Sequence, residues 1–186
     1  MTSPEHLFPD NTVLINFAII EQVPLLEKLL AGKGKWVAAV AAECELSIRT
    51  GLYPAELASV SGMMTETLIP SRSEAIDART IRNEIAAPYE PFPKSYGEAQ
   101  TLAIITKRDL SAIVITDDGG VGRYVAENEI EVIVVSTTDI LAMAVRANLM
   151  TQPEGEAHIA KLIAAGRHRI SLKRFRASLA PRPPAV

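Results

Sequence analysis

Five acidic residues stand where a carboxylate is either costly or useful: Asp10, Glu43, Glu98, Asp117 and Asp118. Asp117 and Asp118 are adjacent and follow an apolar run, Ala112 to Ile115, through Thr116. Like charges at the end of a buried strand repel, so solvation or a counter-charge must offset them. Glu43 lies on an Ala-rich, mostly apolar segment, where an unpaired carboxylate is costly. Each acid also has a plain structural reading. Asp10, in "PDNT", suits a turn, and Glu43, like Glu45, suits the outer face of a helix. Glu98 suits the first turn of a helix, and the Asp117–Asp118 pair suits a turn followed by an N-cap. Gathered at one end of a sheet, the same acids would repel strongly unless a divalent cation lay among them. Donor sets made only of oxygen favour Mg²⁺ or Mn²⁺. Such a centre lowers the pKa of a bound water and neutralises charge on a phosphodiester during in-line displacement.

The elements that must position these acids follow from hydrophobic patterning. Val13 to Phe17 predicts a short strand just after Asp10, and Ile19, Val23, Leu26, Leu29 and Leu30 fall on one helical face. Trp36 to Val40 predicts a strand that leads into an Ala-rich helix ending near Ile48. "TGLYP" stops that helix, Pro54 to about Thr65 predicts another, and "TLIP" a short extended piece. Ser71, with Glu74 three residues on, is capping-box spacing for a helix to Ile85. "APYEPFPKSYG" is a loop, and helix resumes at Tyr96 or Gly97 and runs to Lys107. Then come a strand at Ala112–Ile115, a helix at Val121–Asn128 and a strand at Ile130–Val135. Helices at Thr138–Ala147, capped by Thr138, and at Pro153–Ala165 close the pattern. Short apolar strands alternating with helices predict an α/β fold with a mainly parallel sheet. In such folds ligands bind beyond the carboxyl ends of the strands, near a topological switch point, which is where Asp117 and Asp118 fall.

Composition narrows the class. At 186 residues and 48% hydrophobic, the chain suits one domain with appendages. The single cysteine, Cys44, excludes an internal disulfide and a cysteine zinc site, and fits a reducing, cytoplasmic setting. No apolar run reaches the roughly 18 residues of a membrane span, and "MTSPEHLFPD" lacks the order of a signal peptide. Net charge is −3, but residues 151–186 hold seven Lys/Arg against two Glu, which leaves −8 on the other 150 residues. Residues 1–151 read as the main domain, 152–166 as a C-terminal helix and 167–186 as a flexible basic tail, solvated or ready to contact nucleic acid or a partner.

Several motifs fall away. "GKGKW" has no Ser/Thr after its lysines, "GGVGR" lacks dinucleotide-binding spacing, and no G-x-S-x-G elbow occurs. His6, His158 and His168 sit at the two ends of the chain without metal-ligand spacing. A phosphohydrolase of the haloacid dehalogenase type would need a second aspartate where Thr12 stands.

Five segments together resemble the PIN-domain family, in family order across residues 8–151: "DNTVLINFA", "VAAVAAECE", "GEAQTLAI", "VITDDGGVGRYVAENEIEVI" and "STTDILAMAVRANLMT". "GEAQTLAI" resembles the Gly-Glu-Ala helix opening of one subgroup, and the last segment resembles the helix that follows there. The resemblance implies a three-layer α/β/α fold and a Mg²⁺- or Mn²⁺-dependent ribonuclease, often the toxin of a bacterial toxin–antitoxin pair (VapC-like). It implies a homodimer and a small antitoxin protein that blocks the acidic site. Carried over by position, Asp10, Glu43, Glu98 and Asp117 would be catalytic metal ligands, with Asp118 an alternative or additional ligand. Thr12 and Thr116 would support ligands or water, and Arg123 would contact phosphate or a ligand carboxylate. Pro9 and the Asn11-Thr12 order depart from the family pattern. The competing expectation is a PIN-fold module without catalysis that binds nucleic acid or protein.

Overall fold

A computed structural model describes residues 4–51, 55–167 and 169–180. His168, Pro54 and the terminal 181–186 lie outside the described residues. The chain is mixed α/β with parallel strands. Its order is β1 (His6–Pro9), α1 (Asn11–Ile19), α2 (Val23–Leu30), β2 (Lys35–Val37), α3 (Ala38–Thr50), a 3₁₀ helix (Ala55–Met63), β3 (Glu66–Leu68) and α4 (Arg72–Ile85). Then follow α5 (Tyr96–Arg108), β4 (Ala112–Ile115), α6 (Gly119–Glu127), β5 (Ile133–Val135), α7 (Thr137–Arg146), α8 (Gln152–Ala164) and α9 (Leu172–Leu179).

β1, β4 and β5 pair in parallel, with Pro9 opposite Ile115 and Ile115 opposite Val135. β2 and β3 form a second parallel pair, tied to β1 through a single bridge between Leu7 and Gly34. Spatial order is therefore β3-β2-β1-β4-β5. From β1 the chain first runs outward through β2 and β3, then returns to β4 on the other flank and continues to β5. The reversal puts the switch point between β1 and β4, whose carboxyl ends carry Asp10 and Asp117.

Val13 to Phe17 forms helix, not the expected strand, and the strand lies earlier, at His6–Pro9. Asp10 divides the two: its side chain accepts from the Thr12 amide and caps α1. Val13 through Ala18 are buried without interruption, so α1 has no polar stripe to reveal its period. β2 stops at Val37 and helix begins at Ala38, three residues earlier than the expected strand end. Ser136, not Thr138, caps α7, with Asp139 completing the capping box. The expected helix after Pro54 is a 3₁₀ segment, and β5 starts at Ile133 rather than Ile130.

The basic segment also differs from the expected flexible tail over its described part. Ser171 caps α9, which buries Phe175 completely. Gly155 of α8 makes room for that ring, because a Cβ there would sit 2.5 Å from Phe175 Cζ. Arg174 pairs with Asp139 at 2.8 Å and Arg176 with Glu156 at 2.7 Å. Composition records the excess of charge but not these partners. Among the described residues no helix is long and apolar enough to cross a membrane.

The capping box at α4 forms as expected: Ser71 Oγ accepts from the Glu74 amide at 3.3 Å and Glu74 accepts from the Ser71 amide at 2.6 Å. Arg108 holds the same carboxylate at 2.7 Å, so Glu74 joins two helices. Ser71→Ala is expected to cost about 1 kcal/mol of stability in urea unfolding, the usual worth of such a cap.

Candidate active site

The ladders between β1, β4 and β5 continue one residue past the strands. The Asp10 amide donates to Ile115 O at 2.8 Å, and the Thr116 amide to Val135 O at 2.9 Å. This fixes the backbones of Asp10 and Thr116 at one level and aims the next acid, Asp117, into the same cavity. That cavity has a volume of about 630 Å³, and its walls include Asp10, Thr12, Asn16, Glu43, Glu98, Asp117 and Asp118. All five acids from the sequence reading are thus brought to one place.

Asp10 is only 5% exposed. Its Oδ2 accepts from the Thr12 amide at 3.0 Å, while its Oδ1 is buried and has no hydrogen-bond partner among the described residues. Burial raises its pKa against the bonds from Thr12. Asp117 is held from three sides: Asn16 Nδ2 donates to it at 2.8 Å, Thr137 Oγ1 at 2.6 Å and the Thr137 amide at 2.9 Å. Burial still raises its pKa, against the pull of the Thr137 bonds.

Glu43 and Glu98 come from facing helices. Gly97 permits their approach, because a Cβ there would lie 2.9 Å from Val40 Cγ2 and 3.0 Å from Glu43 Oε1. Burial, then the charge of Asp10, pushes the Glu43 carboxyl up to about 7. The same two causes push Glu98 well above the usual carboxylate range. Glu45, two residues from Glu43, is exposed and lies away from the cavity.

Asp118 has a different task. Its Oδ1 accepts from the Gly120 amide at 2.9 Å and caps α6, and it pairs with Arg169 Nη1 at 2.5 Å. Thr116 Oγ1 accepts from the Asp118 amide at 3.0 Å and so orients this turn. Arg123 does not line the cavity; it donates to Glu84 O at 3.1 Å and borders an adjoining groove.

Sequence reasoning does not single out Asn16, Ser95 or Thr137, and it reads Arg167 and Arg169 only as part of the basic segment, not of the site. Asn16 was signalled only as a lone amide inside an apolar run. Its Nδ2 donates to both Asp117 and Thr137, which ties α1 to the far end of the sheet. Ser95 donates to Glu90 at 2.5 Å and to Asp118 at 3.4 Å. Arg169 also donates to Asp117 O at 3.1 Å, and Arg167 reaches Thr12 O at 3.5 Å. Part of the basic segment is therefore a wall of the acidic cavity.

The donor chemistry fits a hard divalent cation. Every candidate ligand is a carboxylate oxygen, and one of those oxygens is buried without a donor among the described residues. As the side chains stand, no three His, Cys, Asp or Glu among the described residues close to metal-ligand spacing. Both Asp117 oxygens accept protein donors and Asp118 is engaged by Gly120 and Arg169, so Asp10, Glu43 and Glu98 are the freer donors. Comparison with known proteins gave no match: no family model, no curated protein and no solved structure matches the chain.

Proposed function

We propose that this chain is a divalent-metal-dependent endoribonuclease with a PIN-like three-layer fold, acting at the cavity between β1 and β4. The observation that carries this reading is the Oδ1 of Asp10, buried with no partner among the described residues and set among carboxyls whose pKa values burial has raised. An enclosed cluster of acids costs stability unless a cation offsets it. The order β3-β2-β1-β4-β5, with acids at the carboxyl ends of both strands flanking the switch point, supports the PIN-like fold.

Asp10, Glu43, Glu98 and Asp117 would hold Mg²⁺ or Mn²⁺, with Asp118 beside them. The metal would supply an activated water and neutralise charge on the phosphodiester. The chain's own residues do the rest. The Thr12 amide fixes one Asp10 oxygen, and the other lies buried beside the cavity with no donor among the described residues. Asn16 and Thr137 hold Asp117 in a single orientation. Glu43, pushed up to about 7 in the metal-free chain, would give up its proton when a cation binds, so metal affinity would rise with pH through neutrality. Arg167 and Arg169, on the wall, offer guanidinium groups to phosphate. A small inhibitory partner protein and self-association belong to the same reading.

One observation favours a second reading. Arg169 already pairs with Asp118, so the cluster carries a partial internal counter-charge and could belong to a binding module without turnover. Labelled single-stranded RNA separates the two. The ribonuclease reading expects cleavage with Mn²⁺ or Mg²⁺, loss of it in EDTA, and recovery when metal is restored. RNA binding with no turnover in either metal would establish the module instead.

A further inference from the structure

The loop between α4 and α5 supplies one side of the cavity through Glu90, Pro93, Lys94 and Ser95. Two other residues of this loop face solvent. Tyr89 is 104% exposed and Phe92 is 66% exposed. They are the exposed aromatic residues among the described part of the chain; Phe8, Phe17, Trp36 and Phe175 are buried, and Tyr96 and Tyr124 are half-buried. An aromatic ring left in water forgoes burial worth about 2 kcal/mol or more, so two on one short loop call for a reason.

The loop is held rather than loose. Arg82 of α4 donates to Glu90 O at 2.5 Å and to Lys94 O at 3.2 Å. Tyr89 has φ +63°, a left-handed backbone that a bulky residue adopts only under constraint. Phe92 leans on Tyr96, with ring centroids 5.3 Å apart at 57°. The rings are separated in sequence by Glu90 and Pro91, and Lys94, whose ammonium pairs with Glu90 at 3.3 Å, lies two residues beyond Phe92. Lys94 is 72% exposed at its side chain, and Arg167 and Arg169 stand on the cavity wall. Exposed rings beside a cationic track are the recurring design for single-stranded nucleic acid, in which bases stack and phosphates meet Lys and Arg.

We propose that Tyr89 and Phe92 form a base-stacking platform that feeds single-stranded RNA into the acidic cavity, with Lys94, Arg167 and Arg169 holding the phosphates. This rests on RNA being the ligand of the site in the reading above. A duplex offers no free base faces, so the platform selects unpaired RNA. A protein partner would want a continuous apolar patch, which two rings divided by Glu90 and Pro91 do not make.

The test is fluorescence anisotropy with a labelled single-stranded oligoribonucleotide and with its blunt duplex, on the full chain in EDTA. Tyr89→Ala and Phe92→Ala are each expected to weaken single-strand binding about 5- to 100-fold. Duplex binding and the slope of affinity against salt should stay unchanged, since no phosphate contact is lost. Tyr89→Phe and Phe92→Tyr should bind as wild type. Lys94→Gln should do the reverse of the alanines, with a reduced salt slope on any strand. Wild-type affinity in both alanine variants, equal losses on single strand and duplex, or absence of RNA binding by the wild-type chain would each overturn the platform. If the platform fails while Mn²⁺-dependent cleavage persists, the ribonuclease reading stands alone. If binding depends on the rings but no metal gives cleavage, the platform stands and the ribonuclease reading falls.

Discussion

Asp10→Asn is expected to lower Mn²⁺-dependent RNA cleavage by about 100- to 1000-fold and to leave the protein at least as stable as wild type in metal-free buffer. The activity loss follows from charge. A catalytic metal contributes several kcal/mol of transition-state stabilisation, and each ~1.4 kcal/mol is tenfold in rate. Asn retains one oxygen, which can still accept from the Thr12 amide, but it loses the anionic Oδ1 that stands buried without a partner among the described residues. Removing a buried, uncompensated charge relieves repulsion among the acids, so the melting temperature should hold or rise. Asp117→Asn should behave differently. Both of its oxygens accept bonds, from Thr137 and Asn16, so an amide would turn an NH₂ group toward at least one donor. That variant should lose activity and also about 1–3 kcal/mol of stability. Gel assays on labelled RNA, run beside thermal melts, read both effects. An Asp10→Asn protein that cleaves at the wild-type rate would remove the site assignment; one that merely unfolds would show that Asp10 serves the fold.

Where local pattern and tertiary role agree, the sequence was easily read. Ser71 and Glu74 form their capping box because that motif is complete within four residues. β4 starts and stops where its apolar run does, since a polar residue and an acid end it. α1 was misread because burial on every side erases the periodicity that tells helix from strand. The five acids were visible as types, but not which of them would meet. Glu43 and Glu45 are both polar positions on one Ala-rich helix. The choice between them depends on Gly97, 54 positions after Glu43, where the missing side chain lets α3 and α5 close together. Asn16 and Arg169 were hidden for the same reason: each acts on a residue far along the chain, Asn16 on Asp117 and Arg169 on Asp118. A count of charges records the basic segment as an excess, whereas Arg169, Arg174 and Arg176 each face an individual acid.

The raised carboxyls also give stability a pH dependence opposite to that of ordinary surface acids. Glu43 titrates at about 7 in the folded chain against 4.5 for the unperturbed group. Between those values the folded state binds more protons than the unfolded state, so stability is full at pH 4.5 and falls as pH rises to 7. For Glu43 alone that shift corresponds to an upper limit of about 3 kcal/mol, less where Asp10 is protonated, since part of the shift is Asp10's charge. Asp10, Glu98 and Asp117 shift in the same direction. Glu74 and Glu156, held at about 2 by Arg108 and Arg176, change charge well below this window. His158, pushed down by burial, acts the other way near the top of the window, so the effect is isolated by comparison with Glu43→Gln. The metal-free protein should therefore melt several degrees higher at pH 5 than at pH 7.5, at roughly 2–4 °C per kcal/mol for a chain of this size. Mn²⁺ should reverse the order. It binds the ionised cluster, competes with protons, and at about 100 times its Kd stabilises by roughly 2.7 kcal/mol. Its shift should be large at pH 7.5, small at pH 5, and reduced at both by Glu43→Gln. A metal-free melting temperature that climbs from pH 5 to 7.5 in wild type and Glu43→Gln alike would mean that the acids are solvated or paired well enough to need no cation.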